Sequence, residues 1–99
     1  MSQLEFLAIA KPKRENWLAT MTPEEKMVMG EHLEYVRRMF SEGKVVLSGP
    51  CLDGTYGIII YKADSPESAQ KMYENDPAVK AGIMDTELHP YKVGVMEGR

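Results

Sequence analysis

Histidine is the residue type in this chain best suited to acid–base chemistry, and the chain has two of them. His32 lies in a predicted helix, in line with Val28, Tyr35 and Met39 at spacings of three and four residues, at the border of the expected core. An imidazole exchanges protons near neutral pH, so a half-buried one beside a cleft suits general acid–base catalysis. The structural alternative is a boundary histidine that a backbone carbonyl or a carboxylate satisfies. His89, which alternates with apolar residues in the last predicted strand, is the weaker candidate.

Two aspartates are the carboxylates that could orient such an imidazole. A carboxylate hydrogen-bonded to a histidine fixes its tautomer and stabilises its charged form. Asp76 precedes Pro77 at the start of a predicted helical turn, so it also has the pattern of an N-cap. Asp53 is the possible alternative, with a turn role as its structural explanation. The residues alone leave both roles open.

Six further residues are candidates for substrate binding: Trp17, Met29, Tyr35, Ser48, Gly49 and Pro50. The Ser-Gly-Pro segment ends a predicted strand, where a glycine lets a ligand approach the backbone and a hydroxyl offers a hydrogen bond. Gly-Pro also simply ends a strand. The tryptophan either closes a pocket or anchors its loop, and methionine fills a core as readily as it lines an adaptable pocket.

Length and composition limit the classes of function. Ninety-nine residues fit one domain, which we place at residues 1–99. The formal net charge of −3 argues against nucleic-acid binding, which needs a basic face. Two histidines and the single Cys51 fall short of a metal-ligand set, and no phosphate-binding glycine loop occurs, so we expect neither metal nor cofactor. The lack of a leader pattern and of a long apolar run predicts a cytoplasmic protein without membrane contact.

The elements that must position these residues follow from apolar runs, caps and breakers. Strands are predicted at residues 4–10, 45–49, 56–61 and 84–93, with a loop at 11–21. A Thr-Pro-Glu-Glu capping box at residues 22–25 begins the first helix, and Gly43 is placed to end it. A second helix is predicted from an N-cap at Ser65 to about residue 74, followed by a helical turn from 76 to 82. The expected core stripe of the first helix is Met29, Leu33, Val36 and Phe40.

The order β-α-β-β-α-β predicts a ferredoxin-like α+β fold, in which a four-stranded antiparallel sheet has both helices on one face. In the first and third strands both alternating sets of side chains are apolar, whereas a face open to water should be polar. We therefore expect the helix-free face to pair with a second copy, giving a dimeric α+β barrel. Whether such dimers pair further stays open.

The chain resembles the YciI-like (YCII-related) family of dimeric α+β barrel proteins. The resemblance spans nearly the whole chain, and the matching pieces are His32-Leu33, Gly43, residues 45–50 and 57–60, residues 65–69, Asp76-Pro77, Ala81-Gly82 and Leu88-His89-Pro90-Tyr91. It implies the barrel that muconolactone isomerase and cofactor-independent monooxygenases also have. It also implies a working histidine–aspartate pair, which falls on His32 and Asp76.

Three functions follow from these patterns. The first is a small-molecule enzyme of the lyase or isomerase type, in which His32 moves a proton and Asp76 or Asp53 orients it. The second is a non-catalytic protein that binds a small ligand or serves in assembly, and an anionic compound is the ligand that we expect. The third, a cofactor-independent monooxygenase, rests on shared architecture alone.

Overall fold

The structure, a computed structural model, describes residues 3–99, so residues 1 and 2 of the expected domain lie outside the described residues. The elements are β1 (Leu4–Pro12), α1 (Trp17–Thr20), α2 (Pro23–Ser41), β2 (Val45–Pro50), β3 (Gly57–Ala63), α3 (Pro66–Asn75), α4 (Pro77–Ala81) and β4 (Met84–Tyr91). The four strands form one antiparallel sheet in the order β2-β3-β1-β4. The predicted α+β fold with its ferredoxin-like order is confirmed.

The core lies between the sheet and the helices. On the helix-covered face Phe6 pairs with Tyr61 and Ala8 with Ile59, and all four side chains are buried. This alternation of inward residues along two central strands is what the apolar strand pattern requires. Helix α2 and helix α3 complete the core with Tyr35, Val36, Met39, Ala69 and Met72.

Helix α2 begins and ends where the sequence predicts. The Thr22 hydroxyl accepts from the Glu25 N–H, and the Glu25 carboxylate accepts from the Thr22 N–H, which is the complete capping box. Pro23 occupies the first turn, where no N–H is needed. At the other end Gly43 has a φ of 76°, the left-handed conformation that glycine adopts without steric cost.

The predicted core stripe of α2 is wrong in two of its four members. Leu33 is 50% exposed and Phe40 62% exposed, and Val36 is buried together with Tyr35 and Met39. Two adjacent lines of this helix are apolar, so the spacing fixes the helical period but not which line faces the sheet. Packing against the sheet and α4 buries the line that contains Tyr35 and Met39, and His32 belongs to the same line.

Three local features are absent from the sequence-based prediction. The segment expected to be a loop contains the short helix α1, and β1 continues to Pro12. In β2 the register shifts between Val45 and Leu47, which is a β-bulge. One extra residue reverses the face of every side chain beyond it, so Ser48 pairs with Ile59 on the helix-covered side.

The opposite face of the sheet is free of helices among the described residues. Leu7, Ile9 and Ile58 are half-buried there, and Leu47 is 41% exposed. The segment after β4 returns to the same face, where the Val93 N–H and the Arg99 guanidinium bond to the Glu5 carboxylate. In residues 3–99 no helix combines the length and the apolar character that crossing a bilayer requires.

Candidate active site

The two residues that the family resemblance pairs are in contact. His32 Nδ1 lies 2.8 Å from Oδ1 of Asp76 and 3.0 Å from its Oδ2. The Asp76 side chain is 4% exposed and that of His32 18%, so the carboxylate is shielded from water while the imidazole stays partly accessible. Because α2 packs on α4, His32 in the middle of α2 lies beside Asp76, the residue immediately before α4.

A proline places Asp76 at this point. Pro77 disfavours the helical conformation for the residue before it, and Asp76 accordingly has a ψ of 124°. Helix α3 therefore ends at Asn75, and the chain turns before α4 begins. At the turn Asp76 Oδ1 accepts from the Ala78 N–H at 2.9 Å, which caps α4. The N-cap role and the contact with His32 are therefore both present in one carboxylate.

The contact fixes the tautomer of His32. An ionised carboxylate only accepts hydrogen bonds, so the hydrogen of a neutral imidazole must be on Nδ1. Nε2 then carries the lone pair and is free to take a proton. When it does so, the adjacent Asp76 carboxylate stabilises the imidazolium that forms. This arrangement is competent for general base and then general acid catalysis.

The pair lies at a cavity of about 300 Å³. The end of β1, the end of β2 and the starts of β3 and β4 meet at one end of the sheet, where α1 and α2 close over them. Such a volume is at the lower end of the range for small-molecule sites. The lining is predominantly apolar, and besides the pair it includes Ile9, Ala10, Pro12, Leu18, Met21, Leu33, Ile58, Ile59, Val79 and Met84.

The other candidates from the sequence divide into two groups. Five of the six candidates for substrate binding line the cavity: Trp17, Met29, Ser48, Gly49 and Pro50. The β-bulge explains how the serine reaches this side of the sheet. Tyr35 does not line the cavity, because its hydroxyl is buried and donates to the Met72 carbonyl at 2.8 Å.

Asp53 lies outside the cavity lining. Its carboxylate accepts from the side chain and the backbone N–H of Thr55, and these bonds lower the pKa of the Asp53 carboxyl. This is the geometry of an aspartate turn. Of the two carboxylates, only Asp76 contacts His32 in the described part of the chain.

Trp17 is held in the cavity wall by a charged cluster. Its side chain is 3% exposed, and Nε1 donates to Glu25 at 3.2 Å. Arg14 forms a two-pronged ion pair with the same carboxylate at 2.9 and 2.7 Å and also donates to the Thr20 carbonyl. Together with the Thr22 N–H, Arg14 lowers the pKa of Glu25 to about 2. The tryptophan therefore anchors its segment and lines the cavity at the same time.

Two lining residues have no signal in the sequence. Tyr73 of α3 and Thr86 of β4 both line the cavity, and their hydroxyl oxygens lie 2.6 Å apart. Their separation in the chain and their unremarkable types conceal the contact. The packing of α3 over β4 brings them together. The local sequence does not specify this packing, so the contact could not be predicted from it.

Fold and site together define a small α+β barrel-type protein with a histidine–aspartate pair at an apolar cavity. The chain belongs to the YCII-related family, since the model of the YCII-related domain matches residues 5–92. The uncharacterized protein YjpA of Bacillus subtilis (strain 168) is 31% identical over 62 residues, covering 63% of this chain and 73% of YjpA.

A solved structure has the same fold. It is 5-chloro-2-hydroxyhydroquinone dehydrochlorinase (TftG) from Burkholderia phenoliruptrix AC1100, in complex with 2,5-dihydroxybenzoquinone. The TM-score is 0.65 and the sequence identity 25%, and the match covers 90% of this chain and 95% of that chain. The resemblance to YciI-like proteins is therefore confirmed.

Proposed function

We propose that this chain is a small-molecule enzyme of the lyase or isomerase type that uses His32 and Asp76 for acid–base chemistry. The observation that carries the proposal is the contact between His32 Nδ1 and the Asp76 carboxylate at the edge of the cavity. A histidine with only a structural role at the border of the core does not need to line the cavity.

The proposed chemistry is a proton transfer at a carbon of the ligand. Nε2 of His32 takes the proton, and the C–H electron pair forms a new double bond. In a lyase a leaving group departs from the neighbouring carbon with its own bonding pair; a hydroxylated ring undergoes this step as its keto tautomer, in which both carbons are saturated. In an isomerase the proton returns from Nε2 to a different carbon. Asp76 stabilises the intermediate imidazolium in both cases.

We propose a small hydroxylated ring compound as the class of substrate. TftG is named for its action on a chlorinated hydroxyhydroquinone and holds a dihydroxybenzoquinone, which supports this class by analogy. The lining of the cavity supports it independently, since it is mostly apolar and contains neither lysine nor arginine among the described residues. From the sequence we expect an anionic ligand. In this cavity its charge could be met only by neutral hydrogen-bond donors and by His32.

Turnover of a chlorinated hydroxyhydroquinone tests the proposal. Chloride release by the unaltered chain, His32→Gln and Asp76→Asn is compared, with His89→Gln as the matched control, because His89 is exposed and outside the cavity. Asparagine also caps a helix, so Asp76→Asn removes the charge and keeps the cap. We expect His32→Gln to lower the rate about 100-fold or more and the control to leave it unchanged.

Equal rates for the unaltered chain and His32→Gln would refute the enzymatic role of His32. Binding of the compound by the unaltered chain without turnover would instead favour the second function, a protein that only holds a small ligand in this cavity.

We propose further that the chain works as a homodimer. The helix-free face of the sheet supports this, because Leu7, Ile9 and Ile58 stay half-buried and Leu47 largely open in the single chain. Apolar sheet faces of this kind are typical of interfaces.

A further inference from the structure

The cavity contains a second polar feature besides the histidine–aspartate pair. Tyr73 and Thr86 approach it from different elements, α3 and β4, and their hydroxyl oxygens are 2.6 Å apart. Both side chains are half-buried, so the two hydroxyls lie at the boundary between the packed core and the cavity. We refer to them as the hydroxyl pair.

Counting hydrogens shows that the hydroxyl pair has a donor to spare. Each hydroxyl carries one hydrogen, and the bond between them uses one of the two, whichever oxygen donates. Within residues 3–99 neither oxygen has another side-chain or backbone partner. One O–H therefore remains unpaired by protein in a lining that is otherwise mostly apolar. A donor in that position favours an oxygen atom of a bound molecule.

We propose that the hydroxyl pair is the subsite that binds an oxygen of the ligand, a ring hydroxyl or a ring carbonyl. This inference rests on the proposed function, because the ligand is the same ring compound. Binding the ring by one oxygen fixes which of its carbons faces His32. The spare O–H also stabilises the negative charge that develops on that oxygen when His32 takes a proton from the ring.

A purely structural role for the hydroxyl pair is the competing explanation. The bond between Tyr73 and Thr86 ties α3 to β4, and its loss could loosen the cavity as a whole. Loosening would weaken every ligand of similar shape by a similar factor. An oxygen-binding role would weaken only the ligand that carries the oxygen, so a ratio of two affinities separates the explanations.

The experiment measures phenol and toluene, two rings of nearly the same shape that differ by one hydroxyl. Their dissociation constants are determined by NMR shift titration for the unaltered chain, Tyr73→Phe and Thr86→Val. Tyr91→Phe is the matched control, because Tyr91 is on the same strand as Thr86 but outside the cavity. We expect the preference for phenol over toluene to fall by about threefold to tenfold in at least one of the first two variants and to stay unchanged in the control.

A preference that stays unchanged in both variants would overturn the subsite, and so would an equal loss of phenol and toluene binding. These results leave the role of His32 untouched, since chloride release measures it separately. If neither phenol, toluene nor 2,5-dihydroxybenzoquinone shifts any resonance of the unaltered chain, the ring-binding cavity itself is refuted and both proposals fall. Both substitutions keep the shape of the side chain, and a thermal melt confirms that each variant is folded.

Discussion

At the scale of single residues, Asp76 shows that a structural explanation does not exclude a functional one. Its carboxylate caps α4 through the Ala78 N–H and holds His32 Nδ1 at the same time. From the sequence, capping alone accounts for an aspartate before a proline, so the contact with a residue 44 positions earlier is invisible. The residues offer both Asp76 and Asp53 as partners for His32, and only the family resemblance selects Asp76, because local spacing contains no information about such distant contacts.

Two buried tyrosines allow a matched prediction on stability. The Tyr35 hydroxyl donates to the Met72 carbonyl, whereas the Tyr61 hydroxyl is completely buried and has no partner within residues 3–99. Burial, with the Asp76 charge as the next cause, raises the pKa of Tyr61 far above its ordinary range, so this hydroxyl stays protonated. We expect Tyr35→Phe to lower the free energy of unfolding by about 1 kcal/mol.

Tyr61→Phe is the control for that measurement. It removes a hydroxyl that forms no bond with the described residues, so we expect it to leave the free energy of unfolding unchanged or to raise it slightly. Urea denaturation of both variants gives the comparison. If Tyr61→Phe destabilised the chain more than Tyr35→Phe, this account of the two hydroxyls would be wrong.

At the scale of the elements, caps and breakers could be predicted from the sequence and the phase of α2 could not. The capping box at Thr22 and the stop at Gly43 are local and were predicted correctly. The buried line of α2 was predicted one line away from the observed one, because Leu33 and Tyr35 belong to adjacent lines that are both apolar. The bulge in β2 likewise depends on pairing with β3, so it cannot be predicted from the sequence of β2 alone.

The segment that carries Trp17 should depend on pH. The ion pair with Arg14 and the Thr22 N–H lower the pKa of Glu25 from 4.5 to about 2. A lowered pKa means that the anchoring is complete above about pH 4.5 and is lost as the pH falls toward 2. Since Trp17 is the single tryptophan, its fluorescence reports on the segment directly. We expect its emission to shift toward the red across that interval.

Glu25→Gln and Glu24→Gln form the matched variants for this titration. Glu24 is exposed and in the same helical turn, so its loss should leave the transition in place. Glu25→Gln removes the ion pair and should give the red-shifted emission already at neutral pH. Identical titrations for the two variants would show that Glu25 does not anchor the tryptophan.

At the scale of the whole molecule, the sheet order and its covered face follow from the sequence, because β-α-β-β-α-β permits few arrangements. The cavity does not follow, since four strand ends and four helices contribute to its wall and no single segment encodes it. Ser48 and Trp17 were identified from their types, yet the way each reaches the cavity depends on the bulge and on the Glu25 cluster.

The proposed dimer is tested by one exposed leucine. Leu47 is 41% exposed on the helix-free face, so Leu47→Lys should leave the single chain folded and should abolish pairing. Leu52→Lys is the control, since Leu52 is 96% exposed in the turn between β2 and β3. Sedimentation should show a dimer for the unaltered chain and the control and a monomer for Leu47→Lys. A dimer that survives Leu47→Lys would place the interface elsewhere.

The most direct test of the central claim is the tautomer of His32, measured by ¹⁵N NMR of the imidazole in the unaltered chain and in Asp76→Asn. The claim is that Asp76 holds the hydrogen on Nδ1 and leaves Nε2 of this cavity-lining ring as the base. We predict that the neutral form of the ring has its hydrogen on Nδ1, that the Nε2 resonance moves when 2,5-dihydroxybenzoquinone is added, and that the tautomer preference is lost in Asp76→Asn. A hydrogen found on Nε2 in the unaltered chain would contradict the account.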